Sequence, residues 1–352
     1  MKIKQHFTII ITLLLINQIA YSQKYQKEAL SLYEKVQERF YDKNAKLYTD
    51  VDTLERKFSH LWGLCCMIQV VNELEKAQPK KDYMTDVMKV INAYYSEKNS
   101  IGGYDSYLVK LGGGDRYYDD NQWIGIALMD AYERTKRKDY LKTSVMIYDF
   151  MMTGYDEAAG GGLYWREVDK ITKNTCSNAP GIILALQLYK ATKDKKYLKS
   201  AVNLYEWANK RLRSPEGIFY DNVIIKTDAI DKHAYTYNTG AMLQSNVYLY
   251  EITKDKKYLI EAKIIAESSL KTFYAKAKFK DDYWFNAVML RAFKHLYQYD
   301  KDEKYLNAFK TCTDFALTND LNSQGIMGKN KVVNLVNQAG MIEILLRLSE
   351  SK

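Results

Sequence analysis

The phrase Lys193-Asp-Lys-Lys-Tyr-Leu198 returns almost unchanged as Lys254-Asp-Lys-Lys-Tyr-Leu259. Looser copies stand at Arg137-Lys-Asp-Tyr-Leu141 and at Lys301-Asp-Glu-Lys-Tyr-Leu306. Each copy follows an apolar run with helical spacing and opens another, so its Asp can cap the second helix while Tyr-Leu starts the buried face. The four tyrosines lie 57, 61 and 47 residues apart. Two helices in each period of about 55 residues predict an array of αα-hairpins.

Apolar residues at helical spacing predict twelve helices along the chain. The predicted segments are 24–41, 58–76, 81–97, 119–136, 138–153, 178–192, 194–212, 238–253, 255–275, 283–299, 301–318 and 332–349. Six such hairpins predict an all-α (α/α)6 barrel, with even-numbered helices in an inner ring and odd-numbered helices outside. We expect residues 23–352 to form this single domain with virtually no sheet. The rival is a helical solenoid, but the shorter repeats typical of solenoids are absent.

The first 22 residues have the pattern of a signal peptide. Lys2 and Lys4 precede an apolar run, and Ala20-Tyr21-Ser22 fits a small-x-small cleavage site before Gln23. The apolar run is too short for a comfortable membrane span. We therefore expect a secreted or periplasmic protein without stable membrane insertion.

Composition excludes several classes of function. The 52 Lys and Arg residues exceed the 43 Asp and Glu residues, for a net charge of +9, but the charges are interspersed. This pattern indicates a solvated exterior and no nucleic-acid partner. Four cysteines at irregular spacing do not make a disulfide framework, and neighbouring Cys65 and Cys66 do not match a zinc pair. We expect a monomer without metal or cofactor.

Long Gly-rich connections precede the inner helices, on the side of the hairpins opposite the short repeated turns. They include residues 101–115, 160–165, 215–220 and 322–325. Long loops gathered at one rim predict a binding site there. Four asparagines also lie 19 or 20 residues before a repeat tyrosine, in equivalent first helical turns: Asn121, Asn178, Asn238 and Asn286. They suit either a polar ring at this mouth or helix capping.

The segment Tyr117-Tyr-Asp-Asp-Asn-Gln-Trp123 is the strongest candidate for chemistry. Glycoside cleavage needs two carboxyl groups, one to attack or stabilise the anomeric carbon and one to protonate the leaving oxygen. Asp119 and Asp120 open an inner helix, where negative charge is favoured, and their mutual repulsion raises one pKa. An Asp pair alone is more often a capping feature. Asp281-Asp282 shows this, because it opens a helix without the aromatic context.

The context of the pair resembles glycoside hydrolase family 76, the α-1,6-mannanases. The resemblance extends over roughly residues 58–270, with its motifs in the family's order. Those motifs are Tyr118-Asp-Asp-Asn-Gln-Trp-Ile-Gly-Ile-Ala-Leu-Met-Asp-Ala-Tyr-Glu133, Gly161-Gly-Leu-Tyr-Trp165, Ser177-Asn-Ala-Pro180, Gly217-Ile-Phe-Tyr-Asp221 and Tyr235-Thr-Tyr-Asn-Thr-Gly240. Thr239 departs from the family, in which Gln is common at that position.

The resemblance implies an (α/α)6 fold, no metal, α-mannan as substrate and a retaining mechanism. Carried over by position, it makes Asp119 the nucleophile and Asp120 the acid/base. Retention asks for carboxyl groups about 5 to 5.5 Å apart, which adjacent residues on one helical turn can provide. Eight further residues are expected to contact the sugar chain: Trp62, Tyr118, Asn121, Trp123, Trp165, Asn178, Tyr237 and Asn238.

Two other functions fit the same barrel. A sugar epimerase typically uses two well-placed histidines for proton exchange, whereas only His60, His233 and His295 follow the signal peptide. Of these, His233 precedes an inner helix and is a weaker candidate for ligand contact. The other alternative is a non-catalytic mannan-binding protein in which the Asp pair only hydrogen-bonds hydroxyl groups.

Overall fold

The computed structural model describes residues 22–51, 57–329 and 331–350. Residues 1–21, and with them nearly all of the predicted signal peptide, lie outside this part. Twelve α-helices run through the described residues: α1 (22–40), α2 (Leu61–Ala77), α3 (Tyr83–Ile91), α4 (Tyr118–Thr135), α5 (Lys138–Met152), α6 (Thr175–Thr192), α7 (Lys195–Leu212), α8 (Thr236–Thr253), α9 (Lys256–Phe273), α10 (Tyr283–Asp300), α11 (Lys304–Asn319) and α12 (Leu335–Ser349). None of these helices has an apolar run long enough to cross a membrane.

The even-numbered helices form a closed inner ring. Each packs against the next, and α12 returns to α2. The odd-numbered helices pack outside, α5 on α4, α7 on α6 and α9 on α8. Burial follows from this arrangement, since α6 is buried almost all round whereas α7 buries a single stripe. The predicted (α/α)6 barrel, with even-numbered helices inside, is confirmed.

The repeated phrase forms the short turns between inner and outer helices. Four inner helices end on a lysine with left-handed backbone, and these lysines are Lys136 (φ 58°), Lys193 (63°), Lys254 (60°) and Lys301 (57°). In the second and third turns the next residue, Asp194 or Asp255, then accepts a hydrogen bond from the backbone amide two residues on, at 2.9 and 3.0 Å. Capping of the outer helix by the repeat Asp is therefore confirmed in both turns.

Within the described residues, the connections at the other rim contain nine short strands, which corrects the expectation of virtually no sheet. They are β1 (Tyr41–Asp42), β2 (Leu47–Tyr48), β3 (Tyr95–Lys98), β4 (Ile101–Tyr104), β5 (Thr172–Asn174), β6 (Tyr220–Ile224), β7 (Ala229–Ala234), β8 (Tyr274–Ala275) and β9 (Lys278–Phe279). The predicted helices over 81–97 and 255–275 extend too far, because β3 and β8 occupy their last residues. Both strands turn back through two residues with positive φ, Asn99-Ser100 and Lys276-Ala277, which is the geometry of a tight hairpin.

One antiparallel ladder lies across the mouth of the barrel. Strands β5, β6 and β7 pair in that order, and single bridges join Tyr164 to Lys173 and Tyr117 to Arg166. We call this assembly, from residues 116–118 through 163–166 to β7, the mouth sheet. It joins the start of α4, the Gly-rich loop and strands β5 to β7 in one ladder, although they are far apart in sequence.

The opposite end of the barrel is filled with ion pairs around a cavity of about 390 Å³, which we call the floor cavity. Arg291 pairs with Asp130 at 2.7 Å, and buried Arg347 lies 3.0 Å from Glu73. The middle and last turns of the inner helices supply these side chains. Cations in the last turns, such as Arg347, offset the negative ends of the helix dipoles.

The first and last described residues of the chain lie close together at the wall of the barrel. Lys24 in α1 pairs with Asp314 in α11 at 2.8 Å, and the Ser22 hydroxyl donates to the carbonyl of Ser349. The first and last hairpins therefore close the ring together.

Candidate active site

Asp119 and Asp120 lie in the first turn of α4, at the centre of the mouth. They are only 5% and 7% exposed. Because the loops before α4 are ordered by the mouth sheet, the helix can begin at Tyr118 with no capping side chain. The positive end of the helix dipole faces both carboxyl groups. The location predicted for the pair agrees with the structure.

The two carboxyl groups differ in their hydrogen-bond donors. Burial raises the pKa of Asp119 to about 6. The Trp165 indole, which donates to Oδ2 at 3.3 Å, opposes this rise, while the Oδ1 atom has no hydrogen-bond partner among the described residues. Burial raises the pKa of Asp120 well above its usual value, and the charge of Asp119 adds to this effect. Asp119 is thus the group that ionises first, and Asp120 is the group that keeps its proton.

Trp165 reaches the pair from the mouth sheet. Its indole Nε1 donates to Oδ2 of Asp119 at 3.3 Å, and its ring is 38% exposed. The Tyr117 ring lies 5.0 Å away in an edge arrangement. Trp165 therefore combines contact with a carboxylate and a partly exposed aromatic ring, as a sugar-contacting residue would.

Asp221 is a third carboxylate at the mouth that sequence reasoning did not single out. It lies on β6, where the amides of Asn222 and Asn238 donate to it at 2.8 and 3.4 Å. Burial raises its pKa. The Asn238 Oδ1 atom is buried without a partner among the described residues. Asp221 and Asn238 thus offer an acceptor pair for sugar hydroxyl groups. The signal that could have found Asp221 is the family-like motif Gly217-Ile-Phe-Tyr-Asp221, which it ends.

Aromatic side chains line the mouth on the side of α2, α8 and α10. The Tyr237 ring stacks on that of Phe285 at 4.1 Å, and the half-buried Trp62 ring meets Trp284 at 4.5 Å. Trp123 is 1% exposed behind Trp284, 5.3 Å from its ring. Trp123 therefore supports the wall from within, which corrects the expectation that its face is free for a sugar.

Two of the expected ligand-contacting asparagines instead clamp the loops. Asn121 accepts from the backbone amide of Tyr104 at 2.8 Å and donates to its carbonyl at 3.0 Å. Asn178 makes the same two bonds, at the same distances, with Leu163. Both are fully buried. Their amides are occupied by backbone, so the expectation of sugar contact is corrected for both.

Tyr118 also points away from the mouth. Its ring packs on Phe150 of α5 at 5.0 Å, and its hydroxyl lies 3.1 Å from the Thr153 hydroxyl. This corrects the expectation that it binds ligand, because a residue one position before Asp119 on a helix faces the outer ring. The neighbouring Tyr117 stands at the mouth in its place.

Other polar groups are outside the chemistry. Asp281 accepts from the Thr236 amide and so serves the start of α8, whereas Asp282, the residue before α10, makes no side-chain capping bond. His60 pairs with Asp50 and His295 with Glu251. All four cysteines are free thiols. Within the described ranges, no three His, Cys, Asp or Glu side chains are grouped to hold a metal ion.

Comparison with known proteins identifies the family of this chain. The family model of glycosyl hydrolase family 76 matches residues 24–283. The chain belongs to glycosyl hydrolase family 76. A curated family relative, a mannan endo-1,6-alpha-mannosidase of Candida glabrata, is 30% identical over 151 residues, which are 38% of this chain and 34% of that protein. The chain thus spans about a third of the length of that relative.

Solved structures of the family share the barrel. A family 76 glycoside hydrolase from a bovine Bacteroides thetaiotaomicron strain superposes with a TM-score of 0.84 at 25% identity, covering 92% of this chain and 77% of that one. An α-1,6-mannanase of Salegentibacter was solved with α-1,6-mannotriose as an inactive variant, in which two consecutive aspartates are asparagines. It superposes with a TM-score of 0.76 at 22% identity over 92% of this chain and 99% of that one.

Proposed function

We propose that this protein hydrolyses α-1,6-mannosidic linkages in mannan, by a retaining mechanism that uses Asp119 and Asp120. The observation that carries the proposal is the unequal environment of the pair. The Trp165 indole donates to Asp119 and favours its charged form, while Asp120 is buried beside that charge and keeps its proton. One nucleophile and one acid are what a retaining glycosidase needs.

In the first step, the Asp119 carboxylate attacks the anomeric carbon and the glycosidic C–O bond breaks. Asp120 gives its proton to the departing oxygen, so the leaving sugar departs as an alcohol. In the second step, the ionised Asp120 takes a proton from water, which attacks the anomeric carbon and releases Asp119 as a carboxylate. The Trp165 N–H stabilises the Asp119 charge at the beginning and end of this cycle.

The substrate class rests on the mouth and on the relatives. Trp62 and Trp165 present partly exposed aromatic rings, which suit a chain of sugar rings, and the polar pair Asp221 and Asn238 suits hydroxyl groups. The curated relative is a mannan endo-1,6-alpha-mannosidase, and the Salegentibacter enzyme holds α-1,6-mannotriose. We also propose that the protein acts outside the cytoplasm, as its signal-peptide pattern indicates.

The first experiment incubates the purified protein with linear α-1,6-mannan, branched yeast mannan, β-mannan and starch, and resolves the products. Linear α-1,6-mannan should be cut into short oligosaccharides whose new ends keep the α configuration. Equal activity on β-mannan or starch would contradict the substrate class, and inverted products would contradict the mechanism.

Two substitutions separate the roles of the carboxyl groups. Asp119→Asn should abolish activity on every substrate, because an amide neither attacks the sugar nor offsets its positive charge. Asp120→Asn should lower the rate on mannan by about 10² to 10⁴-fold. It should nevertheless retain its first step on an aryl mannoside with a good leaving group and respond to added azide.

The matched control is Asp281→Asn, in the other Asp pair. It should cost about 1 kcal/mol or less of stability and leave activity near normal. The assignment of Asp119 is wrong if Asp119→Asn still cleaves mannan within a few-fold of the wild-type rate.

A further inference from the structure

Lys173 on β5 is a lysine whose side chain is completely buried. Its ammonium group lies 2.7 Å from Oδ1 of Asp156 and 2.8 Å from three carbonyl oxygens, those of Asp156, Ala158 and Gly161. A buried ammonium is retained only where it is paired and hydrogen-bonded. Lys173 therefore ties together both ends of the Gly-rich turn over residues 156–161.

The same lysine is adjacent to the strand that carries Trp165. Its backbone bridges to Tyr164, and its ammonium lies 4.6 Å from the centre of the Tyr164 ring. The Tyr164 hydroxyl donates to Oδ2 of Asp156 at 3.0 Å, so Lys173 and Tyr164 grip opposite oxygens of one carboxylate. The next amide, that of Trp165, donates to the carbonyl of Thr172 at 3.1 Å.

The contacts of Lys173 and Tyr164 set the direction in which the Trp165 side chain points. Its indole is exposed on one side. Its Nε1 atom donates to Asp119 at 3.3 Å, and the guanidinium of Arg166 lies 5.9 Å from the ring centre. Its carbonyl accepts from the Tyr118 amide at 3.0 Å, which fixes the strand to the start of α4. A shift of the 156–161 turn would move the strand and with it the indole N–H.

We propose that Lys173 is a positioning residue that holds Tyr164 and Trp165 so that the Trp165 indole donates to Asp119. The proposal rests on the role of Asp119 in the proposed function. It assigns to a lysine without substrate contact the task of keeping one hydrogen bond on the nucleophile.

Other charged groups face both ends of this connection. Lys173 faces Asp156, Glu157 and Lys170. Asp119 faces Asp120 together with the titratable side chains of Cys65, Cys176 and Tyr237. A variant of Lys173 leaves the second set unchanged in sequence but also removes a positive charge. The double variant with Trp165→Phe therefore separates a direct effect of that charge on Asp119 from an effect that acts through the mouth sheet.

The test compares pH profiles of kcat/KM for Lys173→Met, Trp165→Phe and the double variant. Loss of one hydrogen bond to the charged form of Asp119 should move the acidic limb up by about half to one pH unit. Each single variant should show this shift, and the double variant should show no more than either one. Additive shifts would overturn the proposal, because they would mean that Lys173 acts on Asp119 independently of Trp165.

Lys170→Met is the matched control. Lys170 lies 4.0 Å from the same Asp156 carboxylate and 5.3 Å from the same Tyr164 ring, but its side chain is 54% exposed. The acidic limb of the pH profile of Lys170→Met should lie at the same pH as in the wild type. Asp156→Asn weakens the same ion pair by removing the charge of its other partner. This variant takes the place of Lys173→Met in the test if Lys173→Met does not fold. It should shift the limb in the same direction.

A second readout does not require activity. In protein labelled with 5-fluorotryptophan, the resonance of Trp165 is identified by its loss in Trp165→Phe, and it should titrate with Asp119. In Lys173→Met this titration should vanish while Lys170→Met retains it. An unchanged titration in Lys173→Met would overturn the proposal. An inactive wild-type protein that still shows the expected titrations would refute the proposed function alone.

Discussion

The acid–base behaviour of single residues leads to a pH dependence. Hydrolysis needs Asp119 ionised and Asp120 protonated. Activity should therefore fall as the pH drops below about 6, where Asp119 takes up its proton. It should fall again as the pH rises through the raised pKa of Asp120. A bell-shaped profile of kcat/KM on linear mannan is expected, and a rate that stays flat from pH 4 to 9 would contradict these assignments.

The same two residues should weaken the fold. A carboxyl group with a raised pKa binds its proton more tightly in the folded protein, so stability falls as pH rises from about 4 toward the folded-state pKa. Asp119→Asn removes this penalty and should stabilise the protein at pH 8 by about 2 to 3 kcal/mol. Thermal melts should show the gain at pH 8 and little difference at pH 4. A lower melting temperature at pH 8 would show that the charged pair is not strained.

Sequence reasoning found those residues of the mouth that belong to recognisable phrases. Asp119, Asp120, Trp165 and Tyr237 were predicted and stand at the mouth. Asp221 was missed because its surroundings depend on the mouth sheet. It lies near the start of β6, and the paired strand β5 is about 50 residues away in the sequence. Tyr118 was misplaced because adjacent helical residues face different directions, and the phase of α4 could not be read to one residue.

At the scale of elements, the repeated turns carry a backbone cost. Lys193 ends α6 with φ 63°, a conformation that suits glycine and is unfavourable for other residues. Lys193→Gly should therefore stabilise the protein by about 0.5 to 1 kcal/mol. Urea unfolding measures the change.

The control for this turn is Lys199→Gly, on the exposed face of α7. It should have the opposite effect, a loss of about 1 kcal/mol, because glycine weakens a helix interior. Destabilisation by Lys193→Gly would show that the lysine side chain contributes more than its backbone conformation costs.

The amide clamps account for two of the four asparagines that recur in the first turns. Asn121 and Asn178 bind both backbone groups of one residue in the preceding loop, and Gln338 in α12 does the same to Met327 at 2.8 and 2.9 Å. Each clamp joins a long loop to the inner helix that follows it. The register of the asparagines was visible in the sequence. Their partners were not, because the loops between them differ in length.

At the scale of the whole molecule, the helix count and ring order followed from the repeated turn. The hairpins at the mouth did not, since Asn99-Ser100 and Lys276-Ala277 lack the glycine that usually marks a tight two-residue turn. The single bridges of the mouth sheet have even less of a signature in the sequence. Local patterns therefore predicted the barrel, whereas long-range pairing formed its mouth.

The ion pairs at the floor cavity make the stability of the barrel depend on pH. Burial alone would raise the pKa of Glu251, but contacts with His295, Lys190 and Tyr299 lower it to about 2. A lowered pKa stabilises the fold above the unfolded value near 4.5, and this contribution is lost as pH falls toward 2. Glu251→Gln should thus be less stable than wild type at pH 7, by an amount on the order of 1 kcal/mol.

The difference between the two proteins should shrink on acidification. Glu133→Gln changes an exposed residue at the same cavity and should behave as wild type at both pH values. Equal stability of Glu251→Gln and wild type at pH 7 would contradict a contribution from this network.

The contact between Ser22 and Ser349 gives the barrel a topological freedom. A ring whose first and last helices touch can be opened elsewhere, since a linker of a few residues would join these positions without strain. New ends placed within the turn over residues 193–195 would leave every inner helix with the same two neighbours. The fold therefore depends on the order of the hairpins around the ring. It does not depend on which hairpin comes first in the sequence.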